Sequence, residues 1–330
     1  MTAPLLVYGC SGPLRVPGLD RADLPAELRA RIRALQRLEP WRNLRLAAFL
    51  ALWTGGGWLA LTPASVLAHL GACFAIACAL MGLSVFMHEG AHGLLFRSRW
   101  LSRLGGLICG LPVGISVSAY RAMHLRHHAY ERTARDPDDI EAAAPKSVPL
   151  VLVYYALLLL GTYLYFPHVA LRGYLAARGR ERVAILAEYL AIVGAHAAAW
   201  WLLSPGEMVR LWLLPMLVAA QFTNVRSLAE HGLTTAGNAF TATRSVISNP
   251  VVRFVLCNLN FHLEHHLFPA VPWYHLPRLH RMLRPYYRPA GSSVYRSYGE
   301  FMLDFFRTSW AGIIPNVRLI PAHLREDLCG

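Results

Sequence analysis

Fifteen histidines lie along the 330 residues, and eight of them fall into three tight clusters. His88 and His92, in His-Glu-Gly-Ala-His, stand four residues apart. His124, His127 and His128 form an HxxHH pattern, and His262, His265 and His266 repeat it. A ninth, His231, stands alone ahead of the last cluster. Residues three and four apart share one face of a helix, so each pattern aims at least two imidazoles at a common point. Neutral imidazole ligates iron, copper, zinc and nickel. Nine such rings exceed what one ion can use, so two metals are implied. His69, His168, His196, His275, His280 and His323 are isolated and read as structural or interfacial.

Two other uses of the histidines compete with this one. His88-Glu89-x-x-His92 matches the HExxH pattern of zinc proteases. A protease needs one further ligand and leaves six clustered histidines unexplained, and no Asp lies in an apolar segment to supply an intramembrane ligand. A non-catalytic metal-binding membrane protein is the second. A dinuclear iron centre working with dioxygen accounts for the surplus, because it needs many neutral ligands and open positions for oxygen.

The elements that carry these rings sit largely in lipid. Only 15% of residues are charged, against roughly 25% in an average soluble domain, and 55% are hydrophobic. The mean hydropathy is +0.35. Such a composition excludes an intrinsically disordered chain. Six cysteines without paired spacing exclude a disulfide-stapled module, and they read as reduced thiols. The net charge of +13 comes from 31 Arg and a single Lys, Lys146. These arginines flank apolar runs, which fits the positive-inside rule and not a nucleic-acid surface. Abundant Arg, Ala, Leu and Gly suggest a GC-rich bacterial source, hence an inner-membrane protein. The first forty residues, with Asp20, Asp23, Glu27 and Glu39, hold no secretory signal.

Residues 46–87 contain no Asp, Glu, Lys or Arg. That is about twice the ~20 residues needed to span ~30 Å of hydrocarbon as helix. Pro63 divides the run, predicting a helical hairpin over 44–62 and 65–87 with both ends in the cytoplasm. Three apolar segments follow, 148–171, 183–203 and 208–225. Arg172, Arg178, Arg180 and Arg182 belong in the cytoplasm, so 148–171 is expected to dip into the membrane without crossing. Residues 104–119 are too weakly apolar to span. The expected fold is an all-α integral membrane protein with about four transmembrane helices, re-entrant or interfacial helices, and a cytoplasmic histidine-rich cap. Residues 1–43 read as a cytoplasmic N-terminal segment and 44–330 as the membrane domain.

The order HxxxH, HxxHH, HxxHH resembles the histidine-box membrane fatty acid desaturases, with their acyl hydroxylase and carotenoid ketolase relatives. The resemblance runs from His88 through His262-Leu-Glu-His-His-Leu-Phe-Pro-Ala-Val-Pro-Trp-Tyr-His-Leu-Pro. It implies a small helical membrane domain whose cytoplasmic cap holds two irons. His88, His92, His124, His127, His128, His262, His265 and His266 take the box positions, and His231 the isolated ligand. In animal acyl-CoA desaturases an Asn binding through water lies four residues before that isolated His. Here the position is Ser227, while Asn258 lies four before His262 and stands as the candidate. The activity implied is dioxygen-dependent desaturation of a long-chain acyl substrate, with hydroxylation or carotenoid ketolation as alternatives on the same centre.

Glu89, Glu230 and Glu264 each sit beside a clustered His. They either accept the second ring N–H or are solvated cap residues. Arg135-Asp136-Pro137-Asp138-Asp139 reads as a turn. Residues 272–289 mix aromatics with Arg as interfacial segments do. There is no Cys cluster for an iron–sulfur centre, no fused haem segment and no dinucleotide fingerprint. Electrons are therefore expected from an external donor, a ferredoxin with its reductase.

Overall fold

The structure, a computed structural model, describes residues 21–139, 149–234 and 238–313. Lys146, His323, Cys10 and Cys329 lie outside the described residues, as do the first twenty residues of the N-terminal segment. Cys73, Cys78, Cys109 and Cys257 are free thiols, as expected.

Among the described residues the chain is helical apart from one parallel strand pair, β1 (Ser245–Val246) with β2 (Val294–Tyr295). Five helices are long and apolar enough to cross a membrane. Helix α2 (Arg45–Leu61), continuing a 3-10 turn from Pro40, and helix α3 (Val66–His92) form the expected hairpin. Thr62 ends α2 in extended conformation, and Ser65 caps α3 by accepting from Ala68 N at 3.2 Å. The other three are α6 (Leu150–Ala176), α7 (Arg180–Leu202) and α8 (Pro205–His231), the last with a π-turn over Val209–Leu213. Their outer faces carry bare Leu, Val and Trp: Leu67 is 79% exposed, Leu190 75% and Trp201 85%. So large an exposed apolar surface is stable only against lipid. The protein is an all-α, multi-pass membrane protein.

Residues 104–119 do not span. They divide into α4 (Arg99–Gly110) and the start of α5 (Val117–Tyr130). Where 148–171 was expected to dip, the chain forms α6, one unbroken helix of 27 residues that passes through Pro167. Helix α6 is one of the five helices long and apolar enough to cross, and its flank carries exposed Leu159, Leu160 and Leu164. Polar contacts also run from it to the segments around the histidines. Tyr154 OH accepts from Leu233 N (3.0 Å), Tyr165 OH donates to Asp138 (3.2 Å), and Arg126 donates to Ala176 O (3.1 Å). At Gly173 any Cβ would overlap the Ala119 backbone, so glycine lets α6 and α5 touch.

The segment before residue 44 packs into the cap. Leu28 and Ile32 of α1 (Ala26–Ala34), with Leu24 and Leu35, join the main core, and Arg21 donates to Leu267 O at 3.1 Å. Residues 272–289 also differ from expectation. Leu276, Leu279, Leu283 and Tyr287 of α11 (Leu276–Tyr287) are buried in that same core, while Arg278, Arg281 and Arg284 face outward. The amphipathic pattern was legible, but its apolar face covers protein and not lipid. Between these parts lie α9 (Pro250–Val255) and α10 (His262–Leu267), and α12 (Tyr298–Ile313) closes the described chain.

Candidate metal centre

Helix α3 ends at the site for a local reason. Gly93 adopts φ 75°, the left-handed conformation glycine takes without penalty, and its N–H bonds to Gly90 O at 3.1 Å. His88 and His92 therefore stand on one face of the final turns. Helix α5 is started by Ser116, whose Oγ accepts from Ala119 N at 3.0 Å. Glu188 of α7 accepts from Ser116 Oγ (2.6 Å), Ser118 N (2.9 Å) and Ser118 Oγ (2.6 Å). An anion at a helix N-terminus is favourable, and this one ties the second histidine cluster to a membrane helix. Helix α10 is short and held from outside itself. Asn260 donates to Val246 O (2.7 Å) and Ile247 O (3.1 Å), and Leu263 N donates to Ser245 Oγ (3.0 Å).

These elements bring all nine histidines together in two groups. His88, His92, His124, His128 and His265 offer ligand atoms within 4.8 Å of one another. His127, His231 and His266 do the same with Glu131. His262 adjoins the second group, its Nε2 2.7 Å from Nε2 of His231. The groups are neighbours, since the rings of His128 and His266 lie 4.2 Å apart. Asn258 is in neither group; its amide donates to Trp273 O at 3.4 Å.

The donor set fits a metal. Burial holds the imidazoles of His124, His128, His262, His265 and His266 well below the usual histidine range, and neighbouring rings add to it. These rings are neutral. His124 Nε2 lies 3.0 Å from Nε2 of both His88 and His128, and His265 Nε2 lies 3.1 Å from that of His128. Each Nε2 carries either one proton or one lone pair, so neither His124 nor His128 can serve both its neighbours with a full hydrogen bond. A cation among them would take all their lone pairs at once. Nitrogens of His92, His127, His128, His265 and His266 are buried without hydrogen-bond partners.

Several rings are oriented from behind. Glu89 Oε1 lies 3.3 Å from His88 Nδ1, and its Oε2 accepts from Trp273 N at 3.2 Å. Both oxygens of Glu89 are thus engaged in positioning, which is not the arrangement of a protease general base. Glu230 Oε2 is 3.3 Å from His262 Nδ1, and its Oε1 accepts from Arg226 (2.9 Å) and Tyr298 (3.1 Å). Glu264 does something else. It binds His280 Nδ1 (2.5 Å), Ser245 and Tyr287, and so braces α10 against α11 without reaching a clustered ring. His280, isolated in sequence, is its partner.

Sequence reasoning missed three contributors. Asp136 does form a turn, accepting from Asp138 N at 2.9 Å, but it also holds His127 Nδ1 at 2.9 and 3.1 Å. Burial pulls the His127 pKa down, yet the Asp136 hydrogen bond and the charges of Asp138, Asp136 and Glu131 raise it to about 9. Surroundings that favour a proton there equally favour a metal cation. Tyr120 stacks on His124 with ring centroids 4.6 Å apart. Glu131 is the third. The only signal for any of them was an acid or aromatic a few residues from the second cluster. Beside the first group a cavity of about 180 Å³ is lined by His92, Arg99, Arg103 and Arg121 with Gly90 and Gly93.

Apolar membrane helices under a cap of converging imidazoles define a membrane protein with a histidine cluster able to hold metal. The fatty acid desaturase family model matches residues 64–299, and the chain belongs to that family. It is 24% identical to an sn-1 oleoyl-lipid 12-desaturase of Picosynechococcus sp., over 89% of this chain and 87% of that protein. It is 27% identical to a beta-carotene ketolase of Paracoccus sp., over 70% of this chain and 87% of that one. A sphingolipid delta(4)-desaturase of Drosophila melanogaster is 26% identical over 67% of this chain and 68% of its own length. The chain is a membrane oxidoreductase of the desaturase type, and the protease alternative falls.

Proposed function

We propose that each group holds one iron ion and that the chain is a dioxygen-dependent desaturase of a long-chain fatty acyl lipid, reduced by an external one-electron donor. The observation that carries this is the convergence of buried, neutral imidazole nitrogens into two adjacent groups at the head of apolar helices. His88, His92, His124, His128 and His265 would hold one ion, and His127, His231, His262 and His266 the other. Bound there, the two irons supply dioxygen activation and the oxidising power to remove hydrogen from an unactivated C–H bond. The chain supplies position. Glu89 and Asp136 hydrogen-bond His88 and His127 from behind and Glu230 stands 3.3 Å from His262, and partners that orient a ligand typically contribute 10–100-fold in metal affinity. Helices α3 and α5 end at the centre, so an acyl chain entering from the bilayer meets it without passing through water.

The ketolase similarity supports a second reading, oxygen insertion into a carotenoid on the same centre. Mass spectrometry of a bacterial host expressing the protein separates the two. A new double bond in long-chain acyl lipids is expected, with about two irons per chain in the purified protein. Unchanged acyl lipids with carbonyl groups appearing on supplied carotenoid would establish the second reading. Iron-free, inactive protein would sink both.

The site is proposed to face the cytoplasm of a bacterial inner membrane, because arginines concentrate at its end of the helices. Single cysteines placed at positions 64, 175 and 205 report this with an impermeant thiol reagent. Positions 64 and 205 should label from outside, and 175 should not. External labelling at 175 would mean that α6 crosses.

A further inference from the structure

We infer that Glu131 is a direct carboxylate ligand of the metal held by the second group, which makes the two metal sites chemically unlike; this rests on the reading that both groups hold metal. Glu131 is the residue that ends α5, leaving the helix with φ −43° and ψ 129°. An anion at a helix C-terminus is unfavourable, and burial makes it worse. Its side chain is only 12% exposed, and Oε1 is buried without a hydrogen-bond partner. A charge in such a place is retained only beside a compensating cation.

The geometry says where the cation goes. Glu131 Oε1 lies 3.0 Å from His266 Nδ1 and 4.0 Å from His231 Nδ1. The 3.0 Å contact is not a hydrogen bond, since both His266 nitrogens lack a partner. Two buried polar atoms at this distance, neither bonded to the other, are spaced like adjacent ligands of one ion. The first group contains no carboxylate, and Glu89 behind His88 is its one oriented acid. The second has Glu131 within it, Asp136 behind His127 and Glu230 behind His262. Negative charge is therefore concentrated on one site, which favours the higher metal charge there.

Full-length protein loaded with 57Fe and fully reduced should give two Mössbauer quadrupole doublets of equal area. In Glu131→Gln one doublet should move and the other stay, and a chelator should strip one iron at a concentration at least ~10-fold lower than in wild type. Glutamine keeps a carbonyl that can accept from His266 but removes the charge, so a purely orienting role would leave the spectrum unchanged. A single doublet in wild type, or a Glu131→Gln protein indistinguishable from it in spectrum and iron retention, would overturn the assignment. Where that variant fails to fold, Glu131→Asp should move the same doublet alone, and an unmoved spectrum would overturn the assignment. Wild-type protein that takes up no iron would instead overturn the metal reading itself, and the assignment with it.

Discussion

Replacing His265 by Ala should lower lipid conversion by at least ~100-fold, the upper end of what losing a mere supporting contact costs, while the membrane domain stays folded. The ring of His265 is fully buried, 4.6 Å from the ring of His88 and 4.8 Å from that of His92. It is one of the five histidines of the first group. Helix α10 does not depend on it: Asn260, Ser245 and Glu264 hold that segment through contacts that leave the His265 side chain out. Activity and iron content should fall together, with little change in detergent-solubilised melting. His127→Ala should lose activity to the same extent but melt lower. It strands the fully buried Asp136 carboxylate, whose remaining partners are the Arg132 and Asp138 backbone N–H groups. Full activity in either variant removes that residue from the site.

The second large effect concerns electrons. A desaturation that reduces dioxygen to water takes two electrons from the substrate and needs two more. The sequence carries no cysteine cluster, haem segment or dinucleotide fingerprint that would store or deliver them. Purified protein given substrate, oxygen and NAD(P)H alone should therefore be inactive, and adding a ferredoxin with its reductase should start conversion. The carrier is expected to dock at the cavity beside His92: Arg99, Arg103 and Arg121 line it, and burial together with its two neighbouring arginines lowers the Arg121 pKa. An acidic carrier would relieve that repulsion. The carrier's apparent affinity should weaken between low and physiological salt, because exposed charges are screened beyond about 8–10 Å. Conversion with NAD(P)H and no carrier would refute the requirement and reveal a cofactor bound by this chain.

Read alone, the sequence determined the chemistry and the solvent. Eight histidines at helical spacings, with His231 alone, set the ligand type, long uncharged runs set the membrane helices, and the Thr62-Pro63 break set the first hairpin. These are local properties, written in spacings of three to five residues and in composition. The sorting of the rings was not local. His124 and His128 stand four apart on one face of α5 and join the first group, while His127, turned about the helix from both, joins the second. Which group each face meets depends on α3 and α10, 36 and 137 residues away in the contacts that assemble the first group.

Tertiary structure alone also decided the parts played by the acids. Glu89, Glu230 and Glu264 look alike in sequence, each beside a clustered histidine, yet the first two back ligand rings and the third braces two cap helices. Asp136 reaches His127 because the turn after α5 folds back over nine residues, and Glu131 enters the second group because α5 ends at it. Helix α6 shows the same limit at larger scale. Its composition says that it is apolar and long enough to span, and only the fold shows that Tyr154, Tyr165 and the Ala176 carbonyl along it bond to segments around the histidines. Hydropathy reports what solvent a face tolerates; only packing partners decide which apolar surface, lipid or protein, that face meets.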